Sequence, residues 1–200
     1  MGRFGQLVPL AETHSDGLFD AFTNDPDGRG WTYLPDDPWT NREDAKAWCR
    51  VKETSTDPQL FTIQTLDGRA LGFCSYLRIT PEVGSIEVGY IHFSPLMQKQ
   101  AVATEVMFMM MRRAFDLGFR RYEWKCDALN AGSKAAAARL GFTYEGTFRQ
   151  ATIYKGRNRD TAWFSILDSE WPELRTRFER WLDPSNFDAS GQQKTSLQAI

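Results

Sequence analysis

Histidine is almost missing from this chain. There are two, His14 and His92, too few for a histidine-rich metal site, and no metal is expected. Cysteine is nearly as scarce: Cys49, Cys74 and Cys126 are odd in number, far apart and without a CxxC pair. No secretory leader pattern opens the sequence, so the three read as reduced thiols and the expected compartment is the cytoplasm. No apolar run approaches the roughly 20 residues that cross a bilayer, which argues against a membrane partner. A charge excess is lacking too. With 24 Lys and Arg against 26 Asp and Glu, the net charge of −2 does not suit a nucleic-acid binder, and the basic run Lys155–Arg159 is a weak exception. Nor is there an internal repeat.

Aromatics, by contrast, are plentiful, with 7 Trp and 14 Phe. Three large rings, Trp31, Tyr33 and Trp39, fall with Asp36 and Asp37 in a loop, Asn24–Thr40, punctuated by Pro and Gly. Carboxylates among rings suit a cationic amine; a lid packed on the core would have the same composition.

The organising stretch is Ser85–Leu117. A strand over Ser85–Phe93 alternates Glu87, Gly89, Ile91 and Phe93 with Ile86, Val88, Tyr90 and His92. A polar turn follows, then a long helix. Its buried stripe is Ala103, Val106, Met110, Ala114 and Leu117, and its solvent face Glu105, Arg112 and Asp116. Met107, Met109, Met110 and Met111 read as core packing. A strand that turns into a helix aims backbone N–H groups at the turn, a ready anion site.

Around it the pattern predicts a strand at Gln6–Leu10 and a helix over Glu12–Phe22. A second helix is capped by Thr40 or Asn41 and runs to Thr54. Strands Leu60–Leu66 and Ala70–Ile79 meet at Asp67-Gly68. After Gly118 come a strand (Tyr122–Asp127), a helix from Asn130 to Leu140, strands Phe142–Phe148 and Ala162–Leu167 around a basic connection Tyr154–Asp160, and a helix Glu170–Trp181. The fold class is mixed α/β, one domain over 1–182, with 183–200 a polar, flexible tail.

Two sets of residues give this order a family likeness. Glu87, Gly89 and Tyr90 on the strand, then Asn130, Ser133 and Leu140-Gly141-Phe142, resemble the GNAT superfamily of acetyl-CoA-dependent N-acetyltransferases. Within it they look most like the ribosomal-protein N-terminal acetyltransferases. The likeness spans about residues 5–170 and implies a central, mostly antiparallel sheet flanked by helices. It further implies acetyl-CoA as cosubstrate and an amine acceptor attacked directly in a ternary complex, in a monomer or homodimer.

Carried over residue by residue, the pyrophosphate loop falls on Gln98, Lys99, Gln100, Ala101, Val102, Ala103 and Thr104. Ala101 stands where relatives have glycine. Backbone groups at Tyr90, Ile91 and His92, freed by a bulge at Gly89, would hold the pantetheine arm and the thioester oxygen. Asn130 would bond pantetheine, or simply cap its helix. Relatives often protonate the thiolate with a tyrosine four residues before the Gly-Phe pair. Ala137 occupies that position here, so Ser133, or a water it holds, is the substitute; otherwise it too is only a cap.

Amine acetylation needs a base, because the ammonium form predominates at neutral pH. Glu87 is the candidate, and its alternative is an ion pair with a neighbouring strand. His92 is a second candidate base. Trp31, Tyr33, Asp36, Asp37 and Trp39 are the candidate acceptor contacts. The altered Gln98–Ala103 loop and the missing tyrosine keep a non-catalytic acyl-CoA- or peptide-binding module as the alternative reading.

Overall fold

The computed structural model describes residues 1–25 and 27–200; Pro26, in the aromatic loop, lies outside them. The described residues form two compact units, Met1–Ile79 with Val88–Val106, and Thr80–Glu87 with Met107–Ile200.

In the first unit, β1 (Gln6–Pro9) pairs antiparallel with β2 (Gln59–Gln64), and β2 with β3 (Ala70–Thr80). Next to β3 lies β4 (Ser85–Phe93), which belongs to this unit from Val88 on; there the Ser75 hydroxyl donates to the Gly89 carbonyl at 3.1 Å. Helices α1 (Ser15–Phe22) and α2 (Arg42–Lys52) complete it. Asn41 caps α2 by accepting from the Asp44 N–H at 2.9 Å, and Glu43 and Asp44 oppose the helix dipole. Leu18, Phe22, Trp31, Leu34, Cys49, Leu60 and Phe73 make the core, with Trp39, Trp48 and Tyr90 packed against it half-buried. Burying one such side chain contributes about 1.5–3 kcal/mol.

α3 (Ala101–Asp116) starts in the first unit and continues in the second. Here the expected helix faces need two corrections. Glu105 is buried rather than solvated, because its carboxylate accepts the backbone N–H groups of Arg3 at 2.6 Å, Phe4 at 2.7 Å and Gly5 at 3.1 Å. Helical periodicity cannot report a partner about a hundred residues away. Leu117 is exposed, since α3 has already ended at Asp116. The four methionines are buried, as core packing requires.

The second unit holds β5 (Arg121–Asp127), β7 (Arg157–Leu167) and β6 (Thr143–Tyr154), adjacent in that order and antiparallel. With them go α4 (Ala131–Arg139) and α5 (Trp171–Leu182). Strands β6 and β7 run longer than their alternation suggests. The stretch read as a basic connection is a tight hairpin instead: Lys155 and Gly156 have φ of 48° and 71°, as a two-residue hairpin turn needs. Because β6 is exposed along most of its length, no hydrophobic alternation marked its continuation past Phe148. Residues 183–200, expected as a polar tail, include a 3-10 turn at Pro184–Asn186 and buried Phe187 and Leu197. The Trp181 indole N–H donates to Gln193 at 2.8 Å. Among the described residues, no helix is long and apolar enough to cross a membrane.

Candidate active site

The second unit carries Glu87 in a row of charges. Its side chain is 5% exposed, with Oε2 3.2 Å from the Lys125 ammonium, itself 3% exposed. Lys125 also meets Glu123 at 2.8 Å, and Arg121 meets Glu123 at 2.7 Å. Arg121 reaches both oxygens of Glu145, at 2.7 and 2.5 Å, and the Ser165 hydroxyl donates to Glu145 at 2.7 Å. The ammonium of Lys125 lies 3.3 Å from the ring centroid of Trp163, which the sheet register places opposite it on β7. Burial would raise the carboxyl of Glu123, but Lys125 and Arg121 outweigh it and hold that group below its usual value. The bond from Arg121 holds Glu145 down at about 2.

Period-two alternation does place Arg121, Glu123 and Lys125 on one face of β5, but as charged residues they read as a solvent face. Glu87 was singled out in the sequence as a candidate base, with an ion pair to a neighbouring strand as the alternative, and that ion pair, to Lys125 on β5, is present. Lys125 and Trp163 were not singled out, because only the pairing of β5 with β7 brings lysine and tryptophan together.

Also in this unit, Asn130 Oδ1 accepts from the Ser133 N–H at 3.0 Å, so Asn130 caps α4. The Ser133 hydroxyl oxygen accepts from the Trp124 indole at 3.0 Å. Burial raises Cys126, and a bond from Ser133 partly offsets it. Ser133 therefore sits in a polar contact of its own.

The first unit holds the remaining candidates. Left-handed backbone falls at Tyr90 (φ 51°), one residue past the glycine where a bulge was expected. The Tyr90 hydroxyl donates to Asp36, with the rings of Phe73 and Trp48 at 6.1 and 6.3 Å. A non-glycine residue at such a φ is held there by its surroundings, here the aromatic cluster and the Asp36 bond. Burial raises the phenol above its usual range, and Asp36 adds to that.

Trp31 does not stand out in the loop. It is 3% exposed, edge-on to Phe22 at 5.6 Å and to Trp39 at 5.0 Å. Trp39 meets Trp48 at 5.3 Å and is half-buried like Tyr33, while Asp37 is exposed. Trp48, on α2, joins these rings. His92 is stacked on Phe22 at 3.9 Å and edge-on to Trp31 at 4.4 Å, and burial pushes its imidazole down to about 3. Such a group is neutral at pH 7 and packed among rings.

Ahead of α3, Gln98 donates to the Phe93 carbonyl at 3.0 Å, and Lys99 takes the left-handed turn with φ of 61°. Ala101 is the first residue of the helix and is not among the residues of positive φ, so alanine serves where relatives use glycine. At the start of α3 the Gln100 N–H donates to the Met97 carbonyl at 3.2 Å and the Ala103 N–H to the Gln100 carbonyl at 3.1 Å.

The buried Glu87 carboxylate can serve as a proton acceptor, and a helix start such as that of α3 is where an anion is commonly received. The comparisons carry this to a family. Residues 6–143 match the model of the acetyltransferase (GNAT) domain. A GCN5-related N-acetyltransferase from Brucella melitensis is 44% identical with a TM-score of 0.95, covering 99% of this chain and 91% of its own. From Chromobacterium violaceum, a protein described as a probable acetyltransferase of the GNAT family is 40% identical with a TM-score of 0.80, covering 86% and 87%. The ribosomal L7/L12 alpha-N-protein acetyltransferase, in complex with coenzyme A, shares the fold at 21% identity and a TM-score of 0.70, over 84% of this chain and 97% of its own. No curated protein matches. The chain belongs to the GNAT family and is an acetyltransferase, which removes the non-catalytic alternative.

Proposed function

We propose that this enzyme transfers the acetyl group of acetyl-CoA to a primary amine by direct attack, with both substrates bound. Glu87 accepts a proton from the acceptor ammonium. The freed amine nitrogen then bonds to the thioester carbonyl carbon and the carbon–sulfur bond breaks; the departing thiolate takes a proton from Ser133 or a water it holds, that proton is restored by the one the nitrogen sheds on becoming an amide, and Glu87 returns its own proton to solvent. Backbone N–H groups of Gln98–Thr104 receive the pyrophosphate, a role that the helical Ala101 permits. Tyr90, Ile91 and His92 serve the pantetheine arm and thioester through their backbone, and Asn130 serves pantetheine through its side chain.

One observation carries the acceptor reading: the Asp36 carboxylate is held by the Tyr90 hydroxyl beside the half-buried rings of Trp39, Trp48 and Tyr90. A fixed carboxylate with ring faces around it favours a cation. Of the two acceptor classes, a protein N-terminus and a small-molecule amine, the first is favoured. Glu87, Gly89, Tyr90, Asn130 and Ser133 resemble the pattern of ribosomal-protein N-terminal acetyltransferases. The test is thiol release from acetyl-CoA over a panel of peptides and small amines, with the product weighed by mass spectrometry. Peptides should be acetylated at the α-amino group. Release with small amines alone would replace the acceptor, and release with none would overturn the reading.

A further inference from the structure

We propose that Lys125 is the positioning residue of Glu87, and that Glu123 is what lets Glu87 change charge during turnover. The inference rests on the reading of Glu87 as the base. Lysine is almost never fully buried unless paired, and a buried ion pair is seldom retained for stability alone. Lys125 is 3% exposed, and among its surroundings are Glu87 at 3.2 Å, Glu123 at 2.8 Å and the Trp163 ring at 3.3 Å. Its partner Glu123 cannot follow it, because Arg121 holds Glu123 from the other side and is itself forked by Glu145, which Ser165 fixes. The charges thus alternate from Glu145 through Arg121, Glu123 and Lys125 to Glu87.

This arrangement answers a specific problem. A base next to a lone buried ammonium would strand that ammonium each time it took a proton, at a cost of several kcal/mol. With Glu123 also in contact, the ammonium keeps a carboxylate and a ring face when Glu87 is neutral. Lys125 therefore fixes the Glu87 carboxylate and favours its charged form, while Glu123 limits how strongly it does so. Trp163 supplies attraction that costs no further charge.

The two neighbours should consequently act with opposite sign. Lys125→Met should lower kcat at least tenfold and move the acid limb of the kcat profile up by about one pH unit, since a carboxylate that loses its cation protonates earlier. Glu123→Gln should move the same limb down. The KM for acetyl-CoA should stay put in both, and Lys125→Arg should restore most of the rate. In a Glu87→Gln background, Lys125→Met should cost nothing further, the mark of two residues acting as one unit. Without any substrate, the side-chain carboxyl resonance of Glu87, assigned by its loss in Glu87→Gln, should titrate with the same two opposite shifts. Should Lys125→Met not fold, Glu123→Gln and Lys125→Arg still decide the matter. Shifts of like sign, or independent additive losses, would overturn the proposal. A slow Glu87→Gln with a normal Lys125→Met would overturn it alone, whereas a Glu87→Gln with full turnover would overturn the base reading beneath it.

Discussion

Replacing His92 by phenylalanine should flatten part of the pH dependence of stability, and the size of the effect follows from where the ring lies. The imidazole is 3% exposed, stacked on Phe22 at 3.9 Å, edge-on to Trp31 and Phe73, and its Nδ1 is buried without a hydrogen-bond partner. Burial therefore holds its pKa at about 3, against 6.5 in the open chain. Between those values the unfolded chain binds a proton that the native protein does not, so stability falls as pH drops below about 6.5. Each unit is worth about 1.4 kcal/mol, which makes the loss about 2 kcal/mol by pH 5. Burial lowers His14 as well and so acts in the same direction, but it is common to both proteins and cancels in the difference. Phenylalanine can keep the stack on Phe22. Its larger ring must fit the close approach of Gly30, which leaves no room for a side chain against the imidazole, but that cost does not vary with pH. Urea unfolding of both proteins from pH 7.5 to 5 gives the difference directly. The gap should close by about 2 kcal/mol toward acid. A difference that stays constant would mean that His92 is not buried neutral.

Other predictions concern the first unit. Trp31→Ala should cost about 3–5 kcal/mol of stability, read by chemical denaturation, and leave the KM of the amine unchanged where the variant is folded. An unchanged stability with a raised KM would restore Trp31 to the acceptor site. Asp36→Asn should raise the KM of a cationic acceptor about fivefold, less at high salt, without changing the coenzyme A-induced shift in Tm. Glu105→Ala should cost about 2–4 kcal/mol and abolish hydrogen-exchange protection of the amides of Arg3, Phe4 and Gly5; retained protection would contradict the buried anchor.

Local chemistry made most of the fold legible. Asn41 and Asn130 cap the helices they were expected to cap, Gly118 and Gly141 follow α3 and α4 in left-handed backbone, and Gly68 takes the turn between β2 and β3. Such signals are written within four or five residues. What escaped was written across the sheet or far along the chain. Glu105 looks like a solvent-face residue until Arg3, Phe4 and Gly5 arrive with their N–H groups. The strand expected over Phe142–Phe148 was legible, but the exposed continuation of β6 to Tyr154 carries no alternation to announce it, and nothing announced the left-handed backbone of Lys155-Gly156 that closes the hairpin. In the candidate site, Glu87 was legible from its strand, whereas Lys125, Glu123 and Trp163 became its surroundings only through strand pairing and register.

The most direct measurement is thiol release from acetyl-CoA with a peptide bearing a free α-amino group, for the wild type and Glu87→Gln side by side. Coenzyme A should raise the Tm of both proteins alike. The wild type should release thiol and yield a peptide heavier by one acetyl group at its N-terminus. Glu87→Gln should do so about 10²–10⁴-fold more slowly, with the deficit shrinking as pH rises and the amine loses its proton unaided. Equal rates in the two proteins, or no release by the wild type with any amine, would contradict the account.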